Sequence, residues 1–142
     1  MDGIDDLDPA VIQTWIERAQ LENDGSIAFR EGIAYLQSLL TLLIPEETML
    51  LPNYPNPFNP ETWIPYHLAN ASEVTITIYD VRGMLIRQLN LGHQHAGYYI
   101  NRGRAAYWNG RNTVGERVAS GVYFYQFKTE SISLLRKMLI LK

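Results

Sequence analysis

The chain has 142 residues, 46% apolar and 19% charged, which fits one ordinary domain, or a small domain plus an appendage, and excludes a disordered chain. It has no cysteine, which excludes disulfides and cysteine-ligated zinc. The net charge of −3 divides unevenly: residues 1–50 hold two basic against ten acidic side chains, net −8, and residues 51–142 hold ten basic against five acidic, net +5.

The start is acidic and lacks the basic and apolar regions of a signal peptide. Asp8 is an N-cap and Pro9 suits the first helical position, so a helix is expected from there. Ile12, Trp15, Ile16 and Ala19 recur at helical spacing and form its apolar stripe. Asn23, Asp24 and Gly25 end it, and Asp24 or Ser26 caps a second helix over residues 27–43, stopped by Pro45. Phe29, Ile33, Leu36, Leu39, Leu40 and Leu43 give that helix a face too wide for the first helix alone to cover. The hairpin, residues 1–50, is therefore expected to dock on residues 51–142, with Ile33, Leu36, Leu40 or Leu43 at the contact. No uncharged apolar run reaches the ~18 residues of a transmembrane helix.

Between residues 51 and 66 lie prolines 52, 55, 57, 60 and 65. Each fixes φ and removes a backbone donor, and each biases its predecessor towards extended geometry. Residues 53–60 are thus expected to be a stiff, polyproline-like strap that cannot join a sheet, pinned by Tyr54 and Phe58.

From residue 61 the period changes to two. Residues 62–68 read as an edge strand broken by Pro65, and Val74, Ile76 and Ile78 point inward from a strand over 74–79. Asp80, Val81, Arg82 and Gly83 form a turn in which Gly83 takes positive φ, and residues 85–91 return as the partner strand. A loop comes next at 93–97, then strands at 98–101, 105–108, 122–128 and 132–141. These seven or so strands predict a mainly β protein, an antiparallel two-sheet sandwich preceded by the helical hairpin.

Chemical candidates are few. His93 and His95 flank Gln94 with no third ligand in reach, and a loop context makes them solvated side chains, so no metal or other cofactor is expected. Asp2, Asp5, Asp6 and Asp8 lack the spacing of a calcium loop. Tyr98, Tyr99, Tyr107, Trp108, Tyr123 and Tyr125 would make either a stacking platform or cross-strand packing. The arginines of the basic half, 82, 102, 104 and 111, form no stripe, so nucleic acid is not expected as a partner. No nucleophile elbow, phosphate loop or paired carboxylates are present, and the chain is not expected to be an enzyme.

Five motifs in order carry a family resemblance. They are Tyr54-Pro55-Asn56-Pro57-Phe58-Asn59-Pro60 (with Pro52 before it), the strand from Val74 into Asp80-Val81-Arg82-Gly83, Trp108-Asn109-Gly110, Ala119-Ser120-Gly121-Val122-Tyr123-Phe124-Tyr125, and Arg136-Lys137-Met138-Leu139-Ile140-Leu141-Lys142. Together they resemble the type A C-terminal sorting domain of the type IX secretion system, which is itself similar to the Ig-like module of flagellar hook-capping proteins. The resemblance covers residues 51–142 and leaves the hairpin outside. It implies an immunoglobulin-like sandwich at the end of a larger secreted protein, with N-terminal cargo domains and an outer-membrane translocon as partners. It also implies passage through the periplasm to the cell surface or medium. A monomer is expected. Arg136 to Lys142 would be the sorting signal, an apolar strand with basic ends that a partner can grip. Pro52, Tyr54, Pro55, Asn56, Pro57, Phe58, Asn59, Pro60, Asp80, Gly83, Trp108, Gly110 and Gly121 would be structural, with Gly121 permitting an entry that a bulky residue would block. A carbohydrate- or protein-binding module using the aromatic rows, and a purely structural Ig-like spacer, fit the same residues.

Overall fold

The computed structural model describes residues 8–22 and 25–142, so Asp2, Asp5, Asp6, Asn23 and Asp24 lie outside the described residues. Helix α1 (Pro9–Glu22) starts where Asp8 Oδ1 accepts from the Ala10 amide at 2.9 Å. Helix α2 (Ile27–Leu43) is capped by Ser26, whose Oγ accepts from Phe29 N at 3.3 Å. Ile12, Ile16 and Leu43 form a small core, on which Ile33, Leu36, Leu39 and Leu40 pack. Trp15, placed on the apolar stripe by its spacing, is instead 49% exposed. This core is distinct from that of the β domain. Leu43 also lines a cavity of about 400 Å³ with Pro9, Leu42, Tyr98, Ile100 and Arg104, where hairpin and sandwich adjoin.

Nine strands come after the helices among the described residues, where the periodicity predicts seven. They are β1 (Met49–Leu50), β2 (Thr62–Ile64), β3 (Tyr66–Leu68), β4 (Ser72–Tyr79), β5 (Leu85–Gln94), β6 (Gly97–Tyr99), β7 (Ala106–Trp108), β8 (Gly121–Lys128) and β9 (Ser133–Ile140). They form a four-stranded sheet, β5-β4-β8-β9, and two smaller ones, β1-β3-β6 and β2-β7, all antiparallel. Pro65 explains part of the extra count: the chain leaves the β7 ladder at Ile64 and joins the β1 and β6 ladders at Tyr66. β1 adds the rest and moves the start of the β domain from residue 51 to Met49, with Leu50 buried in the sandwich core. β5 runs on through His93, a position expected to lie in a loop.

One continuous core joins the sheets. Val74, Ile76 and Ile78 are buried on β4, Tyr125 and Phe127 on β8, Met138 and Ile140 on β9, and they meet Ile64, Tyr66, Leu68 and Trp108 from the smaller sheets. Burial of side chains this size stabilises by about 1.5–3 kcal/mol each before entropy is counted. The core therefore dominates the fold.

Candidate functional site

The residues singled out from sequence come together at one end of the sandwich, where β4 and β9 finish and β8 begins. The segment from Pro52 to Pro60 reaches it first. It is not a polyproline rod: the chain bends at residues 55–57 and 59–60, and the Tyr54–Pro55, Asn56–Pro57 and Asn59–Pro60 peptides are cis. Nor does it avoid the sheets. Tyr54 and Phe58 keep their amides, and both use them. Tyr54 exchanges hydrogen bonds with Trp63, N to O 2.9 Å and O from N 2.8 Å. Phe58 bridges Ile140 in parallel: Phe58 N donates to Leu139 O at 3.0 Å, and Leu141 N donates to Phe58 O at 3.2 Å. Asn56 adds a third link, accepting from Leu139 N at 3.0 Å through Oδ1. The strap thus touches β9 through one isolated bridge at Phe58, with the Asn56 side chain beside it.

The prolines of this strap face solvent while the Phe58 ring is 2% exposed, edge-on to Trp108 with centroids 5.6 Å apart. Trp108 donates Nε1–H to Arg111 O at 2.9 Å and meets Tyr123 on its other side at 6.2 Å. Gly110, two residues on, has φ 74°, and Pro60 O lies where a Cβ would go. The strap and the Trp108-Asn109-Gly110 motif are therefore one packed unit. Gly121 has φ 149° with open space around it, so its backbone angle, not crowding, calls for glycine. That corrects the expectation of a tight entry.

The turn before β5 sits at the same end. Asp80 Oδ1 accepts from Arg82 N at 2.9 Å and Met84 N at 3.0 Å, and Gly83 has φ 80°. The Met84 amide foremost, with Arg82, holds the Asp80 carboxyl below its ordinary range. Burial first, and the Asp80 charge second, push the Tyr123 phenol up. The tail closes the group: Lys142 N donates to Ser120 Oγ at 3.1 Å, and Met138 and Ile140 are buried while Arg136, Lys137, Leu141 and Lys142 are exposed.

Three residues here have roles that the sequence does not signal, although Tyr125 itself belongs to a motif. Tyr125 OH donates to Leu51 O at 2.8 Å and accepts from Asn53 N at 3.1 Å, tying the strap's start to β8. Asn53 is buried and donates Nδ2 to Thr62 Oγ1 at 3.0 Å. Thr62 Oγ1 lies 3.1 Å from both Tyr54 O and Pro55 O. An asparagine inside a proline run is the only cue that the sequence carries for Asn53.

The six aromatics of the proposed platform do not share a face. Tyr99, Trp108, Tyr123 and Tyr125 are buried, and Tyr98 and Tyr107 are exposed on different strands. Tyr107 instead joins Trp63 at 5.4 Å, and Trp63 stacks on Tyr54 at 6.3 Å with Arg102 over its ring at 4.3 Å. His93 and His95 are exposed with ring centroids 5.5 Å apart.

Residues 59–133, just over half of the chain, match the FlgD Ig-like domain family. The chain belongs to that family. The match ends at Ser133, so Phe58 and most of β9 lie outside it. Among solved structures the chain is similar to dimeric latent PorU from Porphyromonas gingivalis, at 16% identity and TM-score 0.49 over 70% of this chain and 10% of that one. PorZ, described as an essential surface component of the type-IX secretion system of Porphyromonas gingivalis, matches at 22% identity and TM-score 0.45 over 68% of this chain and 12% of that one. FLGD from P. aeruginosa matches at 26% identity and TM-score 0.41 over 51% of this chain and 55% of that one. The chain thus spans about a tenth of PorU and PorZ and about half of FLGD. No curated protein sequence matches it. Among the described residues of this FlgD Ig-like chain, no helix is long and apolar enough to cross a membrane.

Proposed function

We propose that this FlgD Ig-like chain is a non-catalytic C-terminal module of a larger secreted protein. It directs export through the type IX secretion system, by way of the periplasm, to the cell surface or the medium. Its partners are the translocon and the cargo domains that precede it. The observation that carries this reading is the parallel bridge between Phe58 and Ile140. The first and last of the five resembling motifs are more than 70 residues apart, yet they form one hydrogen-bonded unit. Asp80, Gly83, Trp108, Gly110 and Gly121 stand at the same end. A Pro-rich strap that clamps the last strand leaves the basic tail in one conformation, which a receptor binds at less entropic cost than a mobile one.

The test is to append residues 49–142 to a periplasmic reporter in a host competent for type IX secretion. Reporter should appear at the cell surface or in the medium, and the same fusion lacking residues 137–142 should remain in the periplasm. Reporter retained in the periplasm with the intact domain would defeat the proposal.

A further inference from the structure

The strap closes only half of the β9 edge. β9 ends the sheet order β5-β4-β8-β9 and pairs with β8 without interruption, from Lys128 opposite Ser133 to Gly121 opposite Ile140. On such a strand every second residue turns its N–H and C=O away from the sheet. Leu139 and Leu141 are residues of this kind, and Asn56 and Phe58 take up their amides. Leu135 and Lys137 point the same way. Among the described residues, no hydrogen bond reaches their main-chain groups from beyond the sheet. The Leu135 side chain is 62% exposed. Beside it runs a cleft of about 350 Å³ between β9 and β1, lined by Glu47, Met49, Leu50, Leu134, Leu135 and Arg136. Arg136 spans that cleft, donating Nε–H to Leu50 O at 2.7 Å.

We propose that the open edge at Leu135 and Lys137 is a docking site for an extended acidic and apolar segment of a partner protein, which joins the sheet as a further strand. This rests on the export reading above and adds which part of the terminal strand is read, and in what form. The N–H and C=O groups of both residues recognise any extended backbone. The exposed Arg136 and Lys137 select carboxylates, while Leu135 offers an apolar contact. A second copy does not fit, because pairing β9 with itself would oppose these like charges. Glu47, the one carboxylate lining the cleft, lies on the β1 side. Asn56 sets the register, since the incoming strand must stop short of Leu139.

The full chain, labelled with nitrogen-15, is titrated with a synthetic peptide of alternating valine and glutamate. A peptide of alternating valine and lysine serves as control. Amide exchange at Leu135 and Lys137 should slow by about tenfold or more, with Leu139 and Leu141 unchanged and the lysine peptide at least about tenfold weaker. Leu135→Pro removes an N–H that the ladder does not use, so the fold should persist and binding should vanish. If that variant loses its β-sheet circular dichroism, Arg136→Glu with Lys137→Glu decides, and should reverse the preference towards the lysine peptide. No binding to the folded chain, equal binding of both peptides, or protection only along β5 would overturn the proposal. A reporter exported equally well with and without Leu135→Pro would sink the edge site while leaving the export reading standing. If the unaltered tail fails to export, that reading falls, and the peptide titration still judges the edge alone.

Discussion

Gly110 and Pro60 touch backbone to backbone: the Pro60 carbonyl oxygen occupies the place of a side chain on Gly110, which is itself held at φ 74°. Gly110→Ala therefore meets a backbone penalty and an overlap that only movement of the strap can relieve. The two together should cost about 2–5 kcal/mol in chemical denaturation. Gly83→Ala is the control, with φ 80° and open space, and should lose only about 1–2 kcal/mol. Equal losses at both glycines would mean that the strap does not bear on Gly110.

Phe58 is the apolar anchor of the same contact. Its ring is buried against Trp108, and its backbone bridges Ile140. Phe58→Ala should destabilise by about 3–5 kcal/mol and speed amide exchange at Leu141, whose N–H it receives. Loss of stability without faster exchange at Leu141 would separate the packing from the bridge.

The periodicity of the sequence made β4 and β8 legible, because alternation reports which face is buried and both strands are long. The helices were legible from caps and stripes, yet Trp15 lies outside the hairpin core, since helical spacing does not say how much partner surface exists. β1 went unseen because two residues carry no period. The prolines locate the strap in the sequence but do not give its shape. Proline excludes ladder bonds only at its own position, and Tyr54 and Phe58 between the prolines remain free to make them. Gly110 belongs to a motif visible in the sequence, while its reason lies fifty residues away at Pro60. Asn53, Thr62 and Tyr125 show the same limit: their partners are distant in sequence or out of pattern.

Tyr125 supplies a hydroxyl to two backbone groups at once, Leu51 O and Asn53 N. Tyr125→Phe keeps the ring in the core and strands both groups, one of them on the buried Asn53. The expected loss is about 1–3 kcal/mol in urea unfolding, with faster exchange at the Asn53 amide. An unchanged midpoint would show that water replaces the hydroxyl.

His67 on β3 is half-buried against the Tyr98 ring, 4.7 Å between centroids, and burial lowers its pKa below the ordinary 6.5. The folded state thus binds its proton less readily than the unfolded chain does. Its contribution to stability is complete above pH 6.5 and is lost as pH falls from there through the folded value. A proton titration followed by NMR should place the His67 midpoint below 6.5, and His67→Gln should flatten the stability profile in that window. A midpoint above 6.5 would reverse the sign and refute the assignment to burial.

The hairpin and the sandwich hold separate cores. Ile33, Leu36, Leu39 and Leu40 pack on Ile12, Ile16 and Leu43, and the sandwich core begins with Leu50. Where the two parts adjoin, a cavity of about 400 Å³ lies between Leu42 and Leu43 on one side and Tyr98 and Ile100 on the other. Side chains that line such a space forgo the dispersion contacts of close packing there. A helical pair of this size is marginal on its own. Heating should therefore melt the hairpin first and the sandwich later, in two calorimetric transitions, and removing residues 1–45 should leave the upper transition in place. A single transition that drops on truncation would instead establish one cooperative unit, with the wide apolar face of α2 docked on the sandwich.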